Sequence, residues 1–393
     1  MKSQSSKFIS LIFIIYSIFI SFTHAETISA TDAEIGDKFG YDIAASTNFL
    51  IIGAPGDDDQ AVDSGAVYIY KQDVSGLYDL PSKKTITISP PVDGDEGFGA
   101  TVAISDDYAL VGSLNFFRVP FFTRDNNNVW TMTSIPRVSN YDYAKFGCAV
   151  SVYGNYAAIG AEYKYISGGT QGPGRVDLFT QNNGWAYSNS KGGDLMWDYF
   201  GAATAMSNEH LVISQPRRRA GDIDNAIYGA GQINIYTRSG DTWDSKLILN
   251  ASSPVAYTSF GSSLSLSANY LAVGSDIGTY IFKRNENTWI QQTKVSGSGK
   301  VAISDNYLLS ISTNENNKML YVYQRVENTW RLLTTIPAPY EDSDYPSVAI
   351  AGDQFFLGLP SHNNNTGIVQ TYNFNDYELQ KGINISIISL LLF

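Results

Sequence analysis

A unit of about 50 residues recurs seven times along this chain, and no other feature restricts its fold as strongly. Each unit holds two short runs rich in β-branched and aromatic residues, separated by a pair such as Asp-Asn that suits a tight hairpin. A third run follows, and a fourth opens with an aromatic residue. The units begin at residues 39, 98, 146, 200, 260, 297 and 345.

The aromatic residue that opens the fourth run is the most regular part of the pattern, because five of the six tryptophans share this position. The seven residues are Tyr78, Trp130, Trp185, Trp243, Trp289, Trp330 and Tyr377. Four short antiparallel strands per unit are typical of propeller blades, whose apolar faces are buried only when neighbouring blades pack in a ring. We therefore predict an all-β, seven-bladed β-propeller of four-stranded antiparallel blades.

The first unit carries two short signatures: Phe39-Gly40 opens it, and Gly53-Ala54-Pro55 ends its second run. They resemble the FG-GAP repeat, which builds the propeller of the integrin α-chain head and of many microbial surface proteins. The resemblance covers residues 36–380, although the sixth and seventh units have Gly297-Ser298 and Tyr345-Pro346 in place of Phe-Gly. It implies extracellular adhesion or ligand recognition, in a family whose members are mostly not enzymes.

Calcium is the one cofactor that the sequence suggests. In integrin-like members it lies in an Asp-rich loop between the first two strands, but the corresponding turns here are too short to surround a cation that takes roughly six to eight oxygens. The resemblance therefore does not carry over its metal ligands. A different cluster, Asp57, Asp58, Asp59 and Asp63, could hold Ca²⁺. The alternative is a solvated turn whose aspartates bond to their own backbone.

Residues 1–25 have the features of a signal peptide: Lys2 and Lys7, an apolar stretch over 8–22, and a small-residue cleavage site ending at Ala25. An uncleaved signal anchor is the alternative. Cleavage leaves 24 basic against 38 acidic side chains, a net charge of −14, which disfavours nucleic acid and anionic lipid as partners. The single cysteine, Cys148, excludes an internal disulfide. We expect a secreted or cell-surface monomer.

The predicted propeller spans residues 26–382, and residues 383–393 form an apolar tail. Such a tail behind a polar spacer resembles a glycolipid-anchor signal, which would attach the protein to a membrane. The alternative is a strand that closes the last blade, a role for which Glu26–Ala30 competes because it resembles the end of a fourth strand. Export also agrees with three N-glycosylation sequons, at Asn250, Asn364 and Asn384.

Catalysis at a propeller axis needs ionisable groups that converge there. The seven inner-strand segments contain only Asp42 and Lys300, in different units. His210 takes a position held by Tyr or Phe in the other units, and His362 has no catalytic partner in the sequence. We therefore predict that the chain is not an enzyme. A propeller-fold polysaccharide lyase or hydrolase is the alternative from another class.

The connections after the second run differ in length between units, whereas the hairpin turns are alike. Antiparallel order places these connections on one face, and variable loops on a rigid scaffold usually carry binding specificity. One of them holds Arg217, Arg218 and Arg219. These side chains could bind a ligand carboxylate or sulfate, or pair with Asp222 and Asp224.

Three aromatic residues of the same face, Tyr163, Tyr165 and Trp197, could stack on sugar rings or pack between blades. We predict an extracellular, non-enzymatic binding or adhesion module that recognises a protein or glycan ligand through this face. A calcium-assisted lectin is the second hypothesis. It ranks lower because the aromatic loop residues do not recur at equivalent positions in the units.

Overall fold

The computed structural model forms a closed ring of seven sheets with a core of four antiparallel strands each, which confirms the predicted fold and number of blades. The inner strands of successive blades contact one another around the ring, and the last contacts the first. The structure describes residues 26–73, 76, 78, 82–85, 97–113, 118–134, 143–166, 170–221, 226–312, 318–339 and 346–377.

The blades follow the chain order, each running from an inner strand at the axis to an outer strand at the rim. Blade 1 comprises β2 (Ile43–Ala45), β3 (Phe49–Ala54), β4 (Ala66–Lys71) and β5 (Ser82–Thr85). Blade 2 comprises β6 (Phe98–Ile104), β7 (Tyr108–Ser113), β8 (Phe121–Arg124) and β9 (Trp130–Ser134). Blade 3 comprises β10 (Tyr143–Tyr153), β11 (Tyr156–Ile166), β13 (Arg175–Gln181) and β14 (Trp185–Gly192), with a short β12 (Thr170–Gly172) paired to β11.

The remaining blades repeat the same order. Blade 4 comprises β15 (Thr204–Met206), β16 (His210–Gln215), β17 (Gln232–Ser239) and β18 (Thr242–Leu249). Blade 5 comprises β19 (Ser263–Leu266), β20 (Tyr270–Gly274), β21 (Thr279–Asn285) and β22 (Thr288–Val295). Blade 6 comprises β23 (Val301–Ile303), β24 (Tyr307–Ile311), β25 (Met319–Val326) and β26 (Thr329–Pro337). Blade 7 comprises β27 (Ser347–Ala351), β28 (Gln354–Leu359), β29 (Ile368–Asn373) and β1 (Glu26–Ile28).

The outer strand of blade 7 therefore comes from the other end of the chain. Strand β1 pairs antiparallel with β29, with Glu26 opposite Thr371 and Ile28 opposite Val369. The Thr371 hydroxyl also donates to the Glu26 carbonyl at 2.9 Å. Of the two segments that competed for the closing role, Glu26–Ala30 fills it, whereas the tail at 383–393 lies outside the described residues.

A turn over His362–Asn365, in which Asn363, Asn364 and Asn365 have left-handed backbones, precedes β29, and residues 374–377 form a helical turn after it. The predicted fourth run at Tyr377 is thus wrong, because β1 already occupies the edge of β29 and the chain turns away there. None of the helical turns in the described part of the chain is long and apolar enough to cross a bilayer.

The recurring tryptophan packs against the first residue of the second strand in the preceding blade. Five such pairs meet edge to face, with ring centroids 5.0–5.7 Å apart and ring planes 82–89° apart. They are Phe49–Trp130, Tyr108–Trp185, Tyr156–Trp243, His210–Trp289 and Tyr270–Trp330. Such a pair contributes roughly 0.5–1.5 kcal/mol in addition to the free energy of burying its surface. The aromatic residue that recurs in the sequence is therefore a contact between blades. Phe374, not Tyr377, makes the equivalent contact in blade 7, stacking on Tyr307 at 3.7 Å.

The glycines of the repeat meet across the same interfaces. A Cβ placed on Gly53 in blade 1 would lie 1.9 Å from the Gly99 carbonyl oxygen of blade 2. The pairs Gly112–Gly147, Gly160–Gly201 and Gly358–Gly40 repeat this contact at 2.1–2.3 Å. Real Cβ atoms do not approach an oxygen so closely, so only glycine lets these backbones pack together.

We expect Gly53→Ala to lower the free energy of unfolding by about 2–3 kcal/mol, because the new methyl group must push two blades apart. Gly192→Ala is the matched control, since Gly192 lies in outer strand β14 with nothing within 4 Å of the added Cβ. The control should change stability by less than about 0.5 kcal/mol. Thermal unfolding of both variants measures the difference, and equal melting temperatures would contradict the close-approach argument.

His210 should make stability depend on pH. Burial against Trp289 lowers the pKa of His210, Arg284 lowers it further, and Glu209 opposes them. The unfolded chain therefore binds this proton more readily, so stability is full above the unfolded pKa of about 6.5 and is lost as the pH falls below it. We expect the melting temperature of His210→Phe to fall less between pH 7 and pH 5 than that of the original protein. His362→Asn, at an exposed position, should keep the original profile; parallel profiles for all three proteins would refute the assignment.

Candidate functional site

The connections after the second and fourth strands of the blades lie together on one side of the ring, here called the loop face. Backbone hydrogen bonds join them around blade 4. The Arg217 N–H donates to the Asp198 carbonyl at 3.3 Å, at the start of the blade 4 loop. At its end, the Tyr257 N–H donates to the Tyr228 carbonyl at 2.9 Å. The loop between β16 and β17 therefore links the connection that enters blade 4 to the connection that enters blade 5.

Arg218 is part of the scaffold of this face. Its Nη1 lies 2.6 Å from both Asp194 Oδ1 and Asp198 Oδ2. The Arg218 and Asp198 side chains are 19% and 7% exposed, so this is a largely buried pair. Burial raises the pKa of Asp198 more than Arg218 lowers it, whereas the Arg218 bond holds the pKa of exposed Asp194 below its usual value despite partial burial.

The other two arginines have different surroundings. The guanidinium carbon of Arg217 lies 4.6 Å from the centre of the Tyr199 ring, and the centre of the Tyr163 ring lies 6.2 Å from that of Tyr199. Arg219 makes no hydrogen bond or ion pair with any residue that the structure describes, and it lines a cavity of about 340 Å³ with Gln232 and Asn250. Tyr163 and Arg217 thus both lie against Tyr199.

Two predictions for this face concern parts that the structure does not describe. The backbone of Tyr165 lies in β11, but its side chain is outside the described residues, as are Asp222 and Asp224. Pairing of the arginines with Asp222 and Asp224 therefore stays a prediction. Among the described residues, Arg218 pairs with Asp194 and Asp198 of the preceding connection.

Trp197 is the one tryptophan outside the repeated blade contact, and it is exposed. Its side chain is 48% exposed, and its backbone has φ +67°, a conformation rare for a bulky residue. The sequence reasoning missed two further aromatic residues of the face, Tyr228 and Tyr257, which are 56% and 76% exposed. Trp197 and Tyr257 each lie three residues before a Phe-Gly pair, so this shared spacing could have identified Tyr257 from the sequence.

Two carboxylates of the proposed calcium cluster accept hydrogen bonds from their own loop and from Tyr68 in β4. Asp57 is buried, and its carboxylate accepts from the Tyr68 hydroxyl at 3.0 Å and from the Asp59 N–H at 3.3 Å. Asp58 accepts from the Asp63 N–H at 2.7 Å. No group of three or more His, Cys, Asp or Glu side chains converges as metal ligands among the described residues, which include these four aspartates. The geometry matches the alternative of a turn that bonds to itself.

The axis encloses a second cavity, of about 500 Å³, lined by the inner strands. Asp42 and Lys300 meet across it at 2.8 Å, and Asp42 also accepts from the Val102 N–H at 2.9 Å. Loss of solvent lowers the pKa of Lys300, but the Asp42 carboxylate outweighs it and the net shift is upward. Cys148 in the same wall has its thiol pKa raised by burial to about 12. Lys300 is therefore a cation and Cys148 a neutral thiol near pH 7.

Two of the predicted glycosylation sites can be placed. Asn250 and Asn364 are exposed, as an N-glycan requires, whereas Asn384 lies outside the described residues. Asn250 accepts a hydrogen bond from Gln232 at 3.3 Å in the wall of the cavity beside Arg219. A glycan at Asn250 would therefore lie next to the arginine loop.

Comparison with known proteins agrees with this architecture. The family model described as FG-GAP repeat matches residues 22–70, and no curated protein matches the sequence. A chain of the mitotic checkpoint complex is 13% identical with a TM-score of 0.55, over 89% of this chain and 94% of that one. A provisionally named 6-phosphogluconolactonase from Bacteroides uniformis is 14% identical with a TM-score of 0.54, over 76% and 85%. A protein of unknown function from Desulfotomaculum acetoxidans is 9% identical with a TM-score of 0.53, over 79% and 89%.

These solved structures share the fold alone, since their sequence identities are so low. Fold and loop face together define a seven-bladed β-propeller whose architecture fits a binding module. The FG-GAP repeat match over residues 22–70 and the glycine contacts that recur between the blades support the predicted resemblance to FG-GAP repeat propellers.

The three arginines should differ in their effect on stability. Arg218→Met would leave the buried Asp198 carboxylate without its partner, and we expect it to cost about 1–3 kcal/mol of folding free energy. Asp198→Asn in the same chain should recover part of that loss. Arg219→Met should change stability by less than about 0.5 kcal/mol. Thermal unfolding tests this, and equal effects of Arg218→Met and Arg219→Met would contradict it.

Proposed function

We propose that this protein is an extracellular, non-enzymatic adhesion or recognition module that binds a protein or glycan ligand through its loop face. The proposal combines three supports: the FG-GAP propeller fold, the predicted signal peptide at 1–25, and the composition of the loop face. In this proposal the protein acts as a secreted or surface-anchored monomer, with the apolar tail at 383–393 as the anchor signal.

The exposure of Trp197 is the observation that carries the proposal. Five tryptophans pack between blades, whereas Trp197 presents about half of its surface to solvent in a strained backbone conformation. A half-exposed tryptophan gains less folding free energy from burial than the five that pack between blades, and strained residues are concentrated at functional sites. Exposed aromatic side chains beside arginine are also the residues that dominate binding energy in protein interfaces.

The axis supports a non-enzymatic role. Asp42 and Lys300 neutralise each other at 2.8 Å, and the raised pKa of Lys300 makes it a poor base near neutral pH. A lyase or hydrolase would need a free acid and a free base there. The calcium-assisted lectin stays the second candidate for this face, and its metal requirement gives it a separate test.

A binding screen of the exported protein tests the proposal. We expect secretion with Glu26 as the first residue, and binding to at least one member of a glycan array or of a panel of extracellular matrix proteins. Trp197→Gly should weaken this binding at least fivefold, because the stacking surface is lost. Tyr153→Ala is the control: Tyr153 is 47% exposed in a hairpin turn on the opposite side of the ring.

Other results of the screen distinguish the alternatives. Binding that disappears with EDTA and returns with Ca²⁺ would favour the calcium-assisted lectin. Release of products from any arrayed polysaccharide would overturn the non-enzymatic proposal. Binding that Trp197→Gly leaves intact would show that the ligand uses another surface.

A further inference from the structure

The turn that joins the third and fourth strands of blade 3 contains the one Asn-Gly dipeptide of the whole chain, Asn183-Gly184. Both residues are exposed, and they lie between β13 (Arg175–Gln181) and β14 (Trp185–Gly192). A Cβ placed on Gly184 would have nothing within 4 Å, so the backbone there is open to solvent. The position is therefore accessible to chemistry that a crowded turn would block.

Asparagine followed by glycine undergoes a reaction of its own in water. The backbone nitrogen of the glycine attacks the side-chain carbonyl carbon of the asparagine. The new C–N bond closes a succinimide ring, and the side-chain nitrogen leaves as ammonia with the proton of the attacking amide. Water then opens the ring at either carbonyl, which gives aspartate or isoaspartate. Glycine favours the first step because it has no side chain to shield its nitrogen and adopts most backbone conformations.

Equivalent turns in other blades lack this combination. Asn183 lies two residues before the repeated tryptophan, and blades 2, 5 and 6 also have asparagine at this position. These asparagines are Asn128, Asn287 and Asn328. The next residue is valine or threonine in each case, and a β-branched side chain crowds the attacking nitrogen. Blade 4 has Asp241 at the same position.

Asn128 gives the best internal comparison, because its backbone φ of +63° matches the +62° of Asn183. The side-chain Oδ1 of Asn128 accepts a hydrogen bond from Arg124 Nη1 at 3.1 Å, which holds its carbonyl group in place. The side chain of Asn183 makes no hydrogen bond with any residue that the structure describes. Asn183 is therefore free to turn its carbonyl carbon toward the Gly184 nitrogen.

One contact opposes the reaction. The Gly184 N–H donates to Gln181 Oε1 at 3.0 Å, so the attacking nitrogen is held by a side chain of the preceding strand. This bond is exposed, so water competes for both of its partners. The turn therefore slows the reaction without preventing it.

We propose that Asn183 is a site of spontaneous deamidation, which converts the turn of blade 3 to aspartate and isoaspartate as the protein ages. Aspartate suits the turn, since Asp241 in blade 4 accepts a hydrogen bond from the Tyr156 hydroxyl at 2.8 Å. Isoaspartate adds one carbon to the backbone two residues before Trp185, whose ring meets Tyr108 of blade 2 edge to face at 5.0 Å. Isoaspartate therefore loosens the contact between blades 2 and 3.

Storage of the purified protein in warm, mildly alkaline buffer, followed by peptide mapping with mass spectrometry, tests the proposal. Alkaline buffer speeds the attack because the amide nitrogen must lose its proton. We expect the peptide that holds Asn183 to gain the mass of an NH₂-to-OH exchange and to become a substrate for an isoaspartyl methyltransferase. The peptide that holds Asn128 is the internal control and should change about tenfold more slowly.

Gln181→Met tests the restraint, because it removes the acceptor of the Gly184 N–H and keeps a side chain of similar length. We expect the reaction at Asn183 to become about threefold faster, as for the loss of one exposed hydrogen bond. The rate at Asn128 should stay the same.

Two products with the same charge separate the effect of the added backbone carbon from that of the new carboxylate. Freshly prepared Asn183→Asp should have the melting temperature of the original protein. The isoaspartate form, purified from aged protein by chromatography, should melt at a lower temperature. Equal melting temperatures for all three would refute the loosening of the contact between blades 2 and 3.

A sample kept unfolded in urea gives the rate for the unrestrained sequence. If Asn183 reacts in urea and stays intact in the folded ring, the turn protects it and the inference is wrong. Equal rates at Asn183 and Asn128 in the folded protein would contradict the role of Gly184. The site lies on the hairpin side of the ring, away from the loop face, so these outcomes do not depend on the proposed function.

Discussion

The ring depends on how closely the backbones of adjacent blades approach each other. Where Gly53 faces Gly99 there is no room for one additional carbon atom, and the same contact recurs at Gly112, Gly160 and Gly358. This approach lets the aromatic pairs farther out meet edge to face, from Phe49–Trp130 onward. The Phe-Gly and Gly-Ala-Pro signatures are thus two halves of one contact, contributed by neighbouring blades.

A scaffold held in this way leaves its connecting loops free to differ. The start of the blade 4 loop shows how such a loop can be held in place without being fully buried, since Arg218 pairs with two aspartates of the preceding connection. Adjacent side chains in the same run then have different roles. Arg218 holds the start of the loop in place, while Arg219 lines a cavity.

The sequence predicted the scaffold well and the site only in outline. Blade number and strand order followed from local periodicity, because every hairpin joins neighbouring segments of the chain. The local sequence pattern could not predict contacts between distant segments. Arg218 bonds to aspartates 20 and 24 residues away, and Asp42 bonds to Lys300, 258 residues away. Tyr377 was wrongly assigned to a fourth strand for the same reason, because the local pattern does not show that β1, from the start of the propeller, pairs with the edge of blade 7. The sequence shows that Trp197 and Tyr257 share the same spacing from a Phe-Gly pair, but it does not show that both side chains are exposed.

The strand that closes blade 7 has a consequence for how this molecule folds. Glu26 and Thr371 bond across 345 residues, the longest span that a bond between neighbouring strands covers in the described chain. During synthesis the first strand leaves the ribosome long before its partner exists, so each blade can form on its neighbour while the circle stays open. High contact order of this kind makes the final step slow, and until then β29 leaves an unpaired strand edge to which another chain could add.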